Sequence, residues 1–163
     1  MRLDSYSGTE DLVKNPYIYQ FLKQQMPDMT SSSDRTNKSI LAVDDESAIV
    51  DIIKQSLQRQ EFKVCTFTDP FKALAHFDSD SKEDYHRIVL SDIRMPGMNG
   101  YEFVRKVKES NPKVKIMLMS AFEIQEKEFH NILPDIKVDA FLQKPFSIQQ
   151  LNDVVEKISV DSR

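Results

Sequence analysis

Four short apolar runs in this chain each lead into a residue able to do chemistry. Ile40 to Val43 is followed by Asp44-Asp45, Ile88 to Leu90 leads to Asp92, Ile116 to Met119 is followed by Ser120-Ala121, and a weaker run around Val138 to Leu142 precedes Lys144-Pro145. Ligands of an open parallel sheet bind outside the carboxyl ends of its strands. Runs paired in that way would bring three carboxylates, a hydroxyl and an ammonium to one edge. Like charges ~4 Å apart repel by about 4 kcal/mol at an effective dielectric of 20, so clustered carboxylates require a cation. Carboxylates, a main-chain carbonyl and water are the hard oxygen donors that Mg²⁺ prefers, and no histidine or cysteine competes for a softer metal. The predicted object is a Mg²⁺ site with a lysine nearby.

The elements that must position these residues are legible from Lys38 onward. Apolar runs rich in β-branched residues, with a further one from Phe62 to Phe67, alternate with helical spacing. That spacing appears in Ile49, Ile52, Ile53 and Leu57, in Phe103, Val104 and Val107, and in Ile148, Leu151, Val154, Val155 and Ile158. Five strands interleaved with five helices imply an α/β fold with a parallel sheet covered on both faces, because parallel neighbours need crossover connections. The runs at Ile40, Ile88 and Ile116 are nearly free of polar residues, as central strands should be. Lys63 and Thr66 suit Phe62 to Phe67 to an edge. Asp69-Pro70 reads as an N-cap with proline at the first helical position, and Asn111-Pro112 as a helix stop. Two of the three glycines, Gly97 and Gly100, share the loop that follows Asp92, which makes its backbone the most demanding in the chain.

Residues 1–37 stand outside this pattern. Pro27 to Asn37 is polar, serine-rich and aperiodic, as a flexible linker is. Ahead of it, residues 16–26 carry Ile18, Phe21, Leu22 and Met26 on one helical face. Residues 38–160 form the main domain, and 161–163 are a short tail.

Composition excludes several functions. Its 163 residues suit one globular domain. No run approaches the roughly 18 apolar residues of a membrane span, and the N-terminus lacks the blocks of a secretory signal; the chain reads as cytoplasmic, with no membrane partner. The net charge of −4 argues against direct nucleic-acid binding. Cys65, the single cysteine, cannot form an internal disulfide and reads as a small buried side chain. His76, His86 and His130 have no ligand spacing. Arg105, Lys106, Lys108, Lys113 and Lys115 read as a solvated face.

Taken in order, the residues at the ends of these runs resemble the response-regulator receiver family over residues 38 to about 160. Asp44-Asp45 is similar to the family's acidic pair, Asp92 to its phosphoacceptor, Ser120 before small Ala121 to its Thr/Ser position, Phe141 to its switch aromatic and Lys144-Pro145 to its Lys-Pro. The segment Ser91 to Gly100 resembles its phosphorylation loop. Taken singly, each piece has a structural explanation, such as a helix cap, a turn or a core ring. Together and in order they do not.

The resemblance implies a flavodoxin-like (βα)5 doubly wound five-stranded parallel sheet of strand order 2-1-3-4-5, preceded by an N-terminal extension. It implies that Asp45, Asp92 and the main-chain carbonyl of Arg94 bind Mg²⁺ directly, with Asp44 acting through water. Asp92 would take a phosphoryl group from a sensor histidine kinase or phosphotransfer protein, assisted by Lys144. Ser120 and Phe141 would then switch a surface read by a downstream protein or a second copy of the chain. A cis bond between Lys144 and Pro145 is implied as well. The chain departs from the family in Leu133 to Val138, where a shorter glycine-containing turn is usual, and in Phe141, where tyrosine is common. With nothing after its last helix, it reads as a receiver without an output domain and as a phosphoacceptor rather than an enzyme.

Three other readings use the same residues. A Mg²⁺-dependent phosphatase of the haloacid-dehalogenase type needs Asp-x-Asp, and Arg94 stands two beyond Asp92. A flavodoxin-like cofactor binder needs a Ser/Thr-rich phosphate loop after the first strand, which is missing here. A receiver fold acting only as a docking module, without phosphorylation, stays open.

Overall fold

The computed structural model of the chain describes residues 39–79, 87–122, 131–132 and 134–160. The N-terminal extension, its helix over 16–26, its linker over 27–37 and the tail at 161–163 lie outside the described residues, as do His86, His130 and Leu133. So does most of the fifth expected helix, between Ser120 and Ala140, of which only Asn131 and Ile132 are described as helical.

The strands are β1 (Ser39–Val43), β2 (Lys63–Phe67), β3 (Ile88–Asp92), β4 (Lys115–Ser120) and β5 (Ala140–Gln143). The helices among the described residues are α1 (Ser47–Gln58), α2 (Pro70–Ser79), α3 (Gly100–Ser110) and α4 (Ile148–Val160). The strands form one sheet in the order β2-β1-β3-β4-β5, every neighbouring pair parallel. The flavodoxin-like sheet and its strand order are as expected from the sequence.

Side chains alternate between faces along a strand, and this alternation splits the core in two. Leu41, Val43, Val89, Ile116 and Leu118 pack with Ala73 and Phe77 of α2 and with Phe103, Val104 and Val107 of α3. Ile40, Ala42, Ile88, Leu90, Met117 and Met119 pack on the other face with Ile53 and Leu57 of α1 and with Leu151, Val155 and Ile158 of α4. Complete burial of one such side chain contributes about 1.5–3 kcal/mol. Both faces of the central strands are therefore dry, which explains why β1, β3 and β4 read as continuous apolar runs.

Several local expectations are corrected. Phe62 donates its N–H to the Leu57 carbonyl in a turn that also holds Glu61 at φ 65°, so β2 starts one residue later than its apolar run. The run around Val138 becomes a strand only at Ala140. Ile52 is exposed; the sheet-facing stripe of α1 is Val50, Ile53 and Leu57, and Ile52 lies about 100° around the axis from Ile53. Ile148, at the first turn of α4, is also exposed. Cys65, on the edge strand, is half-buried rather than enclosed. Lys108 is not part of a solvated face, because its ammonium donates to the carbonyls of Val114 (2.6 Å) and Pro112 (3.2 Å). Burial lowers the pKa of that ammonium.

The caps are those expected. Asp69 Oδ1 accepts from the N–H groups of Phe71 and Lys72 at the start of α2, and α3 stops at Asn111, whose N–H reaches the Val107 carbonyl.

Candidate functional site

The chain leaves β1 toward β2 on one side and returns to β3 on the other, so the sheet's topological switch lies between β1 and β3. The register pairs Val43 with Ser91, which puts Asp44 level with Asp92 at that crevice. Asp92 pairs with Met119, and Ser120 with Gln143. Ser120 and Lys144 are therefore each one step beyond a site neighbour, and the Lys144 N–H donates to the Ser120 carbonyl at 2.7 Å. The bond from Lys144 to Pro145 is cis.

Lys144 is the centre of the cluster. Its Nζ lies 2.6 Å from Asp44 Oδ2, 2.8 Å from Asp92 Oδ1 and 3.6 Å from Glu46 Oε1. Asp44 is completely buried and Asp92 is 5% exposed, whereas Asp45 faces solvent. Asp44 Oδ1 accepts from the Glu46 N–H (3.0 Å) and Asp92 Oδ2 from the Arg94 N–H (2.9 Å). The Lys144 ammonium is the charge partner of the buried Asp44 Oδ2.

Charge and burial oppose each other here. Burial raises the pKa of Asp44 and the charge of Asp92 adds to it, against the lowering effect of Lys144 and the Glu46 N–H. Burial also acts to lower the pKa of Lys144, but its contacts with Asp44 and Asp92 outweigh this and hold it above the usual lysine value. The ammonium stays charged because two carboxylates share it.

The donor set fits a hard divalent cation. Asp44, Asp45 and Asp92 can each offer an oxygen within 4.8 Å of the others, a set of hard carboxylate donors of the kind a divalent cation takes. The loop after Asp92 makes a tight turn into α3, with the Gly100 N–H donating to the Ile93 carbonyl at 2.8 Å. Met95 and Met98 are buried beneath it, Gly97 has φ +81°, and Asn99 caps α3 by accepting from the Glu102 N–H at 2.9 Å. A Cβ at Gly97 would lie 2.9 Å from Phe71 Cε2. Gly100 is required for a different reason: a Cβ there would run into the Asp92 carbonyl oxygen and lie 2.8 Å from Ile93 Cα.

Asp44, Asp45, Asp92 and Lys144 come together at this edge, and Ser120 closes β4 one step beyond the residue level with Asp92. Phe141 is half-buried on β5 and packs against the α2/α3 face of the core. Ser120 Oγ accepts from the Phe122 N–H at 3.1 Å. Glu46 is an additional member of the charge cluster; its position directly after the aspartate pair was the available signal. A groove of about 440 Å³ lies elsewhere, between Arg105 and Lys108 of α3 and the Ile132, Pro134 and Ile136 side chains. It contains none of the site residues and is formed partly by the segment in which the chain departs from the receiver pattern.

A doubly wound parallel sheet with paired aspartates after β1, an aspartate closing β3 and a lysine after β5 defines the receiver class of signalling domains. The model of the response regulator receiver domain matches residues 40–156, and the chain belongs to that family. It is 32% identical over 117 residues to the alkaline phosphatase synthesis transcriptional regulatory protein SphR of Synechococcus elongatus, a match covering 69% of this chain and 45% of that protein. It is 28% identical over 123 residues to the corresponding regulator PhoP of Bacillus subtilis, covering 75% and 48%. The chain thus spans about half the length of these curated relatives. Among solved structures it resembles the chemotaxis protein CheY4 of Vibrio cholerae, with a TM-score of 0.65, 26% identity and 74% and 97% of the two chains covered. It also resembles the response regulator TrrA of Thermotoga maritima in complex with Mg²⁺-BeF, with a TM-score of 0.62, 28% identity and 74% and 98% covered. Among the described residues no helix is long and apolar enough to cross a membrane.

Proposed function

We propose that this chain is a phosphoacceptor of a two-component relay, taking a phosphoryl group onto Asp92 and switching a protein-binding surface in response. The observation that carries the reading is the shared ammonium: Lys144 lies within 2.8 Å of both Asp44 and Asp92 in a pocket whose third carboxylate, Asp45, is open to solvent. The receiver unit is residues 38–160, and residues 1–37 are an appended segment. The donor is a phosphohistidine on a sensor kinase or phosphotransfer protein, and the cytoplasm is the compartment in which such a relay works.

In the proposed step a carboxylate oxygen of Asp92 forms a bond to phosphorus as the bond from phosphorus to the donor imidazole breaks, and the imidazole leaves with that electron pair. Asp45, Asp92 and the Arg94 carbonyl would hold Mg²⁺, with Asp44 acting through water, and the ion would supply positive charge against the phosphoryl oxygens. Lys144, already at the Asp92 carboxylate, follows the charge onto the transferred group. Preformed positive charge of this kind is most of what a loose phosphoryl-transfer transition state needs. The product carries about two negative charges. Its oxygens draw the Ser120 hydroxyl, and the space this vacates lets Phe141 turn inward.

The test is intact-protein mass spectrometry after acetyl phosphate and Mg²⁺. One adduct is expected, absent in Asp92→Asn and with chelator. An adduct that persists in Asp92→Asn refutes the assignment, and no adduct in the wild type leaves the docking-module reading standing.

A further inference from the structure

Two side chains that the phosphoryl chemistry does not use meet just beyond the site. Arg94 lies two residues after Asp92, and Phe122 two residues after Ser120. Because Asp92 is level with Met119 across the β3/β4 pair, the two loops leave the sheet side by side. There the Arg94 guanidinium carbon sits 4.2 Å from the centroid of the Phe122 ring. Burial does not explain this meeting, since Arg94 is exposed and Phe122 is 55% exposed.

Each partner is instead tied by its own N–H to a side chain of the site. The Arg94 N–H donates to Asp92 Oδ2 at 2.9 Å, and the Phe122 N–H donates to Ser120 Oγ at 3.1 Å. Both ends of the contact are thus held by acceptors that phosphorylation changes. We infer that the Arg94–Phe122 stack is a clasp, closed by the free Asp92 carboxylate and the resting Ser120 hydroxyl, which opens when Asp92 is phosphorylated. The inference rests on the phosphoacceptor reading above.

The chemistry at each end runs in the same direction. When Asp92 forms its bond to phosphorus, the negative charge moves from the carboxyl group to the phosphoryl oxygens, so the Arg94 N–H loses a charge-assisted bond. When Ser120 Oγ turns to those oxygens, the Phe122 N–H loses its acceptor. The guanidinium gains a dianionic neighbour that competes with an aromatic face. An exposed cation–π contact favours the closed arrangement by only about two- to fivefold, which losses at both ends can reverse. Phe122 is then a positioning residue that carries the state of Ser120 into the loop after β4, beside the response of Phe141.

The chain contains no tryptophan, so Phe122→Trp introduces a single indole at the clasp. Acrylamide quenching of that indole reads the clasp, while bound beryllofluoride is counted separately by fluorine NMR. With Mg²⁺ and beryllofluoride, quenching is expected to rise by at most about three- to sixfold, because a closed arrangement favoured about two- to fivefold leaves roughly a third to a sixth of the indoles open at rest. Arg94→Met in this background should raise quenching before beryllofluoride is added. Ser120→Ala should start raised and move little further at equal adduct occupancy, and Ser120→Thr should restore the response. Full adduct with unchanged quenching overturns the clasp and leaves the phosphoacceptor reading intact. A full response in Ser120→Ala, or unchanged resting quenching in Arg94→Met, overturns it equally. Absence of any adduct in the unsubstituted protein overturns the phosphoacceptor reading, and the clasp with it.

Discussion

Replacing Lys144 by methionine keeps an unbranched apolar stem, one atom shorter, and removes the charge, which largely separates the electrostatic role of the ammonium from the packing of its stem. The ammonium faces a fully buried Asp44 at 2.6 Å and a nearly buried Asp92 at 2.8 Å. At an effective dielectric of 20 each attraction is on the order of 6 kcal/mol before desolvation is subtracted. Leaving buried carboxylates without their partner costs about 3–5 kcal/mol net, a large share of the 5–15 kcal/mol typical of a domain. The sign of the pH dependence follows from Asp44, whose folded pKa is raised by burial even with the lysine present. An acid of that kind holds its proton longer in the folded state, so stability falls as pH rises from its ordinary value through the raised one. Without Lys144 the upward push is stronger. Urea unfolding of Lys144→Met in chelator should therefore show its largest deficit near neutral pH and a smaller one at about pH 5. Mg²⁺ at about a hundred times its dissociation constant stabilises a folded state by about 2.7 kcal/mol. It should stabilise the variant more than the wild type, because no ammonium then competes for the same oxygens. A deficit below about 1 kcal/mol at neutral pH, the range of a surface ion pair, would refute the reasoning, as would a deficit that grows on acidification.

Gly97→Ala should destabilise the protein by about 1–3 kcal/mol, combining left-handed strain with the approach to Phe71. Phe71→Ala in the same chain should recover the steric part alone, so chemical denaturation of the double mutant tests the two causes separately. Asn99→Ala should cost about 1 kcal/mol through loss of the cap on the Glu102 N–H, measured as a lower denaturation midpoint at constant slope. For residues 16–26, too short to be stably helical alone since isolated helices below ~12–15 residues are marginal, docking of the Ile18, Phe21, Leu22 and Met26 stripe predicts hydrogen-exchange protection across Tyr17 to Gln25. Phe21→Asp should abolish that protection. Unprotected amides, with partner binding unchanged on deletion of residues 1–37, would eliminate docking.

Much of the site was legible because parallel strands put all their carboxyl ends on one edge. Once Ile40 to Val43, Ile88 to Leu90 and Ile116 to Met119 are read as such strands, Asp44, Asp45, Asp92 and Ser120 have nowhere else to gather, and Lys144 follows from the fifth. The caps at Asp69 and Asn111 were legible for a similar reason, since they depend on residues only a few positions apart. The exposed faces were less so. Ile52 fits the helical period yet faces solvent, and Lys108 fits a charged face yet is bonded to two carbonyls, because the orientation of a helix is set by the sheet it lies on.

Residue type and order thus determined which groups share the edge and that their charges require a cation. The tertiary structure decided how they are shared. Asp44 and Asp45 are adjacent and chemically identical, but only the first is buried against Lys144 while the second meets water. Gly100 is glycine because the Asp92 backbone passes through the space of its side chain, a contact no turn preference reveals. Arg94 and Phe122 meet because the β3/β4 register sets Asp92 beside Met119. Hydrophobic period and residue chemistry are local, and the chain carries them in its order. Register, burial and the direction of approach depend on packing between segments far apart in that order, and exist only once the sheet has closed.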